Sequence, residues 1–340
     1  MAAPQHERGA AMPVPLGGAM NKTPHHVTGG RHVAVVGAGL VGAGWAIVFA
    51  RAGLDVRIFD ASAQAAAGVL DHIGGQLAQL REFGLIDDPA VILARLSVSP
   101  SLAHAVQHAA YVQESVLERV EVKRQLMLDL QGLVAEDAVV GSSTSGIAAS
   151  HFTEGLALAP RVLVVHPVNP PHLVPVVELV PSPATAATAL ALADELMRAV
   201  GQSVVRVNKE IEGFVLNRLQ GVLLREAWAL VQDGVASTDD IDKTMRDGLG
   251  CRWSFMGPFE TIDLNAPGGV ADYAARLGPL YQSIAASRAH AEGWPAPLVS
   301  LVEAERRQVL RQDDLAARRD WRDRELMALA AERRKRQAAR

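Results

Sequence analysis

Residues 33–44 read VAVVGAGLVGAG. An apolar run that breaks on closely spaced glycines and resumes as an apolar helix leaves few folds open to the chain. Gly37, Gly39 and Gly42 fit the spacing G-x-G-x-x-G. The spacing is common by chance, and its context is what gives it weight. A strand precedes it, the helical stretch LVGAGWAIVFARAG follows, and the next apolar run, DVRIFD, ends on the acid Asp60. In such a unit Gly37 permits the tight turn, Gly39 lets a pyrophosphate approach the backbone, and Gly42 lets helix and strand pack closely. The helix start at Leu40 and Val41 offers free N–H groups and a partial positive charge to phosphates. Asp60 would accept hydrogen bonds from an adenosine ribose and repel a 2′-phosphate, so NAD is expected over NADP. FAD shares the fingerprint, but the further segments an FAD site needs are not found in the sequence.

The same alternation continues. LSVSP, AAYVQES, AVVGSST, RVLVVHP, VVELV and SVVRVN are strand candidates, separated by helices such as Ala63 to Phe83 and Arg119 to Leu133. Repeated βαβ units predict an α/β fold, a Rossmann-type, mostly parallel sheet with helices on both faces, over residues 31–207. From residue 208 to 340 the periodicity is helical throughout. GFVLNRLQGVLLREAWALVQDG stops at Gly234, STDDIDKTMRDGLG starts on a capping signal and ends on glycine, and the last helix is highly charged. Residues 1–30, rich in Gly, Pro and Ala without an apolar core segment, read as a disordered leader and not a signal peptide.

Composition excludes several classes of function. With 49% hydrophobic and 21% charged residues and a net charge of −4, nothing favours nucleic acid or an anionic membrane as partner. No apolar stretch is long enough to span a bilayer. Cys251 is the single cysteine, which rules out an internal disulfide and fits a reducing, cytoplasmic setting. No metal is expected: His104 and His108 are spaced i and i+4 without a third ligand nearby, and His25 and His26 fall in the leader.

A nicotinamide cofactor implies hydride transfer, which needs a proton acceptor beside the carbinol. His166 ends the run RVLVV, and Glu178 sits between apolar residues in VPVVELV. A histidine titrates near neutrality and takes a hydroxyl proton, and a carboxylate fixes its tautomer. A glutamate among valines is costly to bury without a partner. The alternative is a histidine capping its strand and a glutamate facing solvent. The dinucleotide fingerprint, and the placement of both residues at strand ends, favour the catalytic reading.

GSSTSGI, HPVNPPHLVPVVELV, EIEGFVLNRL and MGPFETIDL, in this order, resemble the successive signatures of the 3-hydroxyacyl-CoA dehydrogenase superfamily. GLGCRWSFMGPFETIDLNAPGG and DLAARRDWRDRELM are closer to its lambda-crystallin branch, whose enzyme is L-gulonate 3-dehydrogenase. The resemblance runs from Arg31 to the last helix. It implies His166 as catalytic base, Glu178 as its partner, and Ser145 and Asn217 as residues near the substrate hydroxyl. It implies Glu118, Lys123 and Asn169 as cofactor contacts, and a homodimer through the helices after residue 208. The branch also includes a lens protein, so a cofactor-holding structural role stands as the non-enzymatic alternative.

Departures from the family's acyl-CoA members bear on the substrate. The helix after Asp60 in those enzymes carries lysines and a serine that contact CoA. Here it contains Arg81 as its one Lys or Arg, with Gln76 and Phe83 at the matching positions. A small free 3-hydroxy acid such as L-gulonate is therefore expected, with Arg252 as a bidentate anchor for its carboxylate. A 3-hydroxyacyl-CoA and carnitine are the competing substrates. Carnitine would call for an aromatic cage, to which Trp253 and Phe255 could contribute, although core packing explains them better.

Overall fold

The computed structural model describes residues 22–288 and 293–338. The chain forms two compact units. The first runs through Val215 and resumes at Leu326; the second is Leu216–Glu325.

The first unit is built on eight strands: β1 Val33–Val36, β2 Val56–Phe59, β3 Leu96–Val98, β4 Tyr111–Glu114, β5 Val139–Ser142, β6 Val162–Pro167, β7 Val176–Pro181 and β8 Ser203–Arg206. They lie in the order β3-β2-β1-β4-β5-β6-β7-β8. Only β6 and β7 pair antiparallel; the other neighbours are parallel. Winding reverses between β1 and β4, and the crevice beyond their carboxyl ends is where such sheets bind ligands.

Alternation along each strand divides the core in two. Val33 and Val35 face one cluster with Trp45, Phe49, Ile73 and Leu77, from the helices Leu40–Arg51 and Ala63–Glu82. Ala34 and Val36 face the other, with Met127, Leu130 and Phe152 from Val120–Gln131 and Ala149–Thr153. A sheet covered on both faces needs uninterrupted apolar strands, which is why these strands read as runs and not as alternations. Each large side chain buried this way contributes about 1.5–3 kcal/mol. Packing is close at Gly141 in β5, where a Cβ would lie 1.9 Å from the Tyr111 hydroxyl and 2.7 Å from Val165.

Four expectations change. The leader does not extend to residue 30: Pro24–Thr28 is helical, capped by the Thr23 side chain, with Thr28 buried; residues 1–21 lie outside the described residues. The division between units falls after Val215 rather than after residue 207, and the chain returns to the first unit at Leu326. The charged helix Leu315–Ala338 makes that return by burying Met327 in the first core, with Leu326 packed against it, while Arg334 donates to the carbonyls of Gly84 and Leu85. The helix starting at Thr238 does not stop at its glycines. Thr238–Lys243 passes through a π-helical turn, Thr244–Leu249, into Gly250–Trp253. A Cβ on Gly250 would lie 2.7 Å from the Met245 carbonyl oxygen, so this glycine admits the wide turn and does not end the helix.

The second unit contains no strand among its described residues. Its helices include Leu216–Gln232, Pro258–Leu264, Gly269–Ser287 and Ala296–Val309. Leu219, Val222, Leu264, Leu280 and Ile284 are exposed on them. No helix among the described residues is long and apolar enough to cross a membrane.

Candidate active site

The glycine turn leaves β1 with Gly37 at φ +106°, where a side chain would be strained and a Cβ would lie 2.4 Å from the Ser115 carbonyl oxygen. At Gly42 a Cβ would lie 1.8 Å from the Gly37 carbonyl oxygen, so helix and turn pack without room for a methyl group. At Gly39 a Cβ would meet no described atom within 4 Å. That open side is where backbone can approach a pyrophosphate, just before the helix whose first residues are Leu40 and Val41. Asp60 follows β2 and is held in place: its Oδ2 accepts from the Ala38 N–H at 2.7 Å and its Oδ1 from the Ser62 N–H at 2.7 Å. Turn, open side and carboxylate together fit a dinucleotide with free ribose hydroxyls.

His166 and Glu178 are direct cross-strand partners in the antiparallel β6–β7 pair. The histidine Nδ1 lies 2.8 Å from Glu178 Oε2, and both residues are buried. The Val215 N–H donates to Glu178 Oε1 at 2.8 Å, and the buried ring of Phe214 lies 5.6 Å from that of His166. A carboxylate on Nδ1 keeps the proton there and leaves Nε2 as the basic nitrogen. Asn169 is exposed in the connection between the two strands.

Glu118 and Ser145 also meet. Glu118 Oε1 accepts from the Thr144 hydroxyl at 2.6 Å, the Ser145 N–H at 2.7 Å and the Ser145 hydroxyl at 3.1 Å, while its Oε2 lies 3.2 Å from the Lys123 ammonium. Burial works to raise the Glu118 carboxyl, but the Thr144 hydroxyl, Lys123 and the Ser145 N–H outweigh it and hold it below the usual carboxylate range. Lys123 is 1% exposed, so it faces Glu118 from behind and not from an open surface. Asn217 lies in the first turn of Leu216–Gln232 and Arg252 is exposed on Gly250–Trp253, both in the second unit. Trp253 and Phe255 are not core: they are 40% and 70% exposed.

Sequence reasoning missed Glu114 and Phe214. Glu114, fully buried at the end of β4, carries a weaker signal than Glu178: it follows the polar Gln113 and precedes Ser115 at the close of a short apolar run, whereas Glu178 lies between apolar residues. Phe214, at φ +49°, gave no comparable signal.

The chain matches the family model for the NAD-binding domain of 3-hydroxyacyl-CoA dehydrogenase over residues 32–211. It matches the model for that enzyme's C-terminal domain over residues 213–296. It is 39% identical to lambda-crystallin of Oryctolagus cuniculus over 303 residues, covering 88% of this chain and 95% of the relative. It is 37% identical to L-carnitine dehydrogenase of Streptomyces coelicolor over 254 residues, covering 74% and 79%. Among solved structures, an NAD-dependent 5-formyl-3-hydroxy-2-methylpyridine-4-carboxylic acid 5-dehydrogenase superposes with a TM-score of 0.73 at 26% identity, covering 88% of this chain and 97% of that one.

Proposed function

Because this chain belongs to the 3-hydroxyacyl-CoA dehydrogenase family, we propose that it oxidises the C3 hydroxyl of a small 3-hydroxy acid to the 3-oxo acid, with L-gulonate as the substrate. It is an NAD-dependent dehydrogenase. The observation that carries the catalytic reading is the buried His166–Glu178 pair at 2.8 Å.

NAD, when bound, supplies the hydride acceptor; Gly37, Gly39, Gly42, the first N–H groups of the helix at Leu40 and Val41, and Asp60 would hold it. Glu118, Asn169 and, through Glu118, Lys123 complete its surroundings. His166 takes the C3 hydroxyl proton on Nε2, and Glu178 stabilises the imidazolium that forms. Ser145 and Asn217 orient the C3 oxygen, and Arg252 anchors the substrate carboxylate. The scarcity of cations on Ala63–Glu82, where Arg81 is the one Lys or Arg, supports a free acid over a CoA thioester. The exposed Trp253 and Phe255 beside Arg252 in sequence favour one second reading, carnitine, whose trimethylammonium they would face. The exposed apolar residues of the second unit support a homodimer, and the single, free Cys251 supports a cytoplasmic setting.

The test is NADH absorbance with L-gulonate, L-carnitine and 3-hydroxybutyryl-CoA in parallel. Fastest turnover of L-gulonate is expected. Preference for the thioester would overturn the free-acid reading, and tight NAD binding with no turnover of any of the three would favour a structural role.

A further inference from the structure

Glu114 takes no part in the chemistry described above, yet it is fully buried and fully engaged. Its Oε1 accepts from the Val116 N–H at 2.8 Å and from the Lys123 ammonium at 2.9 Å. Its Oε2 accepts from the Ser142 hydroxyl and from the same ammonium at 3.1 Å. A lysine grasped by both oxygens of a buried carboxylate has little freedom left, and truncating either partner would strand a buried charge. That fixed ammonium is what meets Glu118 Oε2 at 3.2 Å, and the other oxygen of Glu118 gathers the Thr144 hydroxyl and the N–H and hydroxyl of Ser145.

The geometry points to Glu114 as a positioning residue: through Lys123 and Glu118 it sets where Ser145 stands. The inference rests on the reading of Ser145 as a substrate-facing residue. Each link is a charge-assisted contact, and the Glu114–Lys123 link is shielded from water, so displacement at one end is transmitted and not absorbed by solvent. The elements concerned are rigid. Glu114 closes β4, Ser142 closes its neighbour β5, and Lys123 stands on the helix Val120–Gln131. Thr144 and Ser145 lie two and three residues beyond the end of β5, so their placement depends on contacts beyond the sheet, and Glu118 provides three of them.

The experiment is a double-mutant cycle between Glu114→Gln and Ser145→Ala in the full-length enzyme, with kcat measured on the fastest substrate of the three-way assay and folding followed by thermal unfolding. Glu114→Gln keeps the shape and one acceptor oxygen but loses the charge, and the second acceptor, that hold Lys123. A folded variant with kcat lower by about ten- to a hundredfold is expected, and in the Ser145→Ala background the same change should add little. Multiplying losses would overturn the proposal, since Glu114 would then act independently of Ser145, as would an unchanged kcat in folded Glu114→Gln. An unchanged kcat in Ser145→Ala would instead sink the reading of Ser145 and take the endpoint of the relay with it. If Glu114→Gln does not fold, Glu114→Gln combined with Lys123→Met removes both charges together, and the same non-additivity with Ser145→Ala is required of it.

Discussion

His166 and Glu178 stand directly opposite each other on β6 and β7, with Nδ1 and Oε2 2.8 Å apart, and the second glutamate oxygen is held by the Val215 N–H. The pair is thus fixed from two sides. In Glu178→Gln the amide oxygen would stay with the Val215 N–H and turn its NH2 group toward Nδ1, which forces the proton onto Nε2, the wrong nitrogen for a base. Stopped-flow or steady-state assays should show kcat lower by about 10²–10⁴ with NAD affinity retained. His166→Gln should do the same. Surviving activity in the histidine variant would refute the assigned base.

Gly39 and Gly42 separate binding from folding. At Gly39 the backbone has φ −71° and ψ −174°, an extended conformation open to any residue, and a Cβ there meets no described atom. Gly39→Ala should therefore unfold at the parental temperature while its NAD dissociation constant, measured by calorimetry, rises about tenfold or more. At Gly42 a Cβ would lie 1.8 Å from the Gly37 carbonyl oxygen, so Gly42→Ala must open the turn and should cost about 1–3 kcal/mol of stability as well as binding. Equal Tm losses in the two variants would contradict this division of labour.

How much of this was legible before the fold was known depends on where each contact comes from. The central strands β1, β5, β6 and β7 were visible as apolar runs because a sheet covered on both faces demands them, whereas the edge strands β3 and β8 are partly exposed. The glycine turn and Asp60 were visible because their roles are local to one βαβ unit. His166 and Glu178 stood out as polar residues inside apolar runs, although their opposition depends on β7 running antiparallel to β6. Lys123 is a cofactor contact by resemblance, but nothing in its own stretch of sequence marks it as buried; only packing of that helix beside β4 makes it a partner of Glu114. Trp253 and Phe255 were read as core from hydrophobicity, which does not distinguish a core position from an exposed apolar surface. The helix Pro24–Thr28 is too short for periodicity to reveal, and a composition of Pro and His concealed it.

His172 gives the first unit a sensitivity to acid. The side chain is 5% exposed, with its buried Nδ1 unbonded among the described residues; burial foremost, then Arg51 and His72, lower its pKa from 6.5 to about 4. The native state therefore holds this imidazole neutral, while an unfolded chain protonates it near pH 6.5. Its stabilising contribution is complete above that pH and is lost as pH falls toward about 4, by at most about 3 kcal/mol. Measured by chemical denaturation from pH 7 to 4, His172→Gln should show a flatter loss of stability than the parent. Parallel curves would mean that His172 does not titrate on unfolding.

Arg252 is where substrate class can be read out. It is exposed on a short helix, so Arg252→Met should leave Tm within about 2 °C of the parent, as surface substitutions generally do. A guanidinium–carboxylate pair is bidentate and charge-assisted, and its loss should raise KM for L-gulonate by about tenfold or more. The thioester of 3-hydroxybutyryl-CoA has no free carboxylate at that end, so its KM should not move. A rise in both constants would point to a general effect on the site, and a rise in neither would remove Arg252 as the anchor.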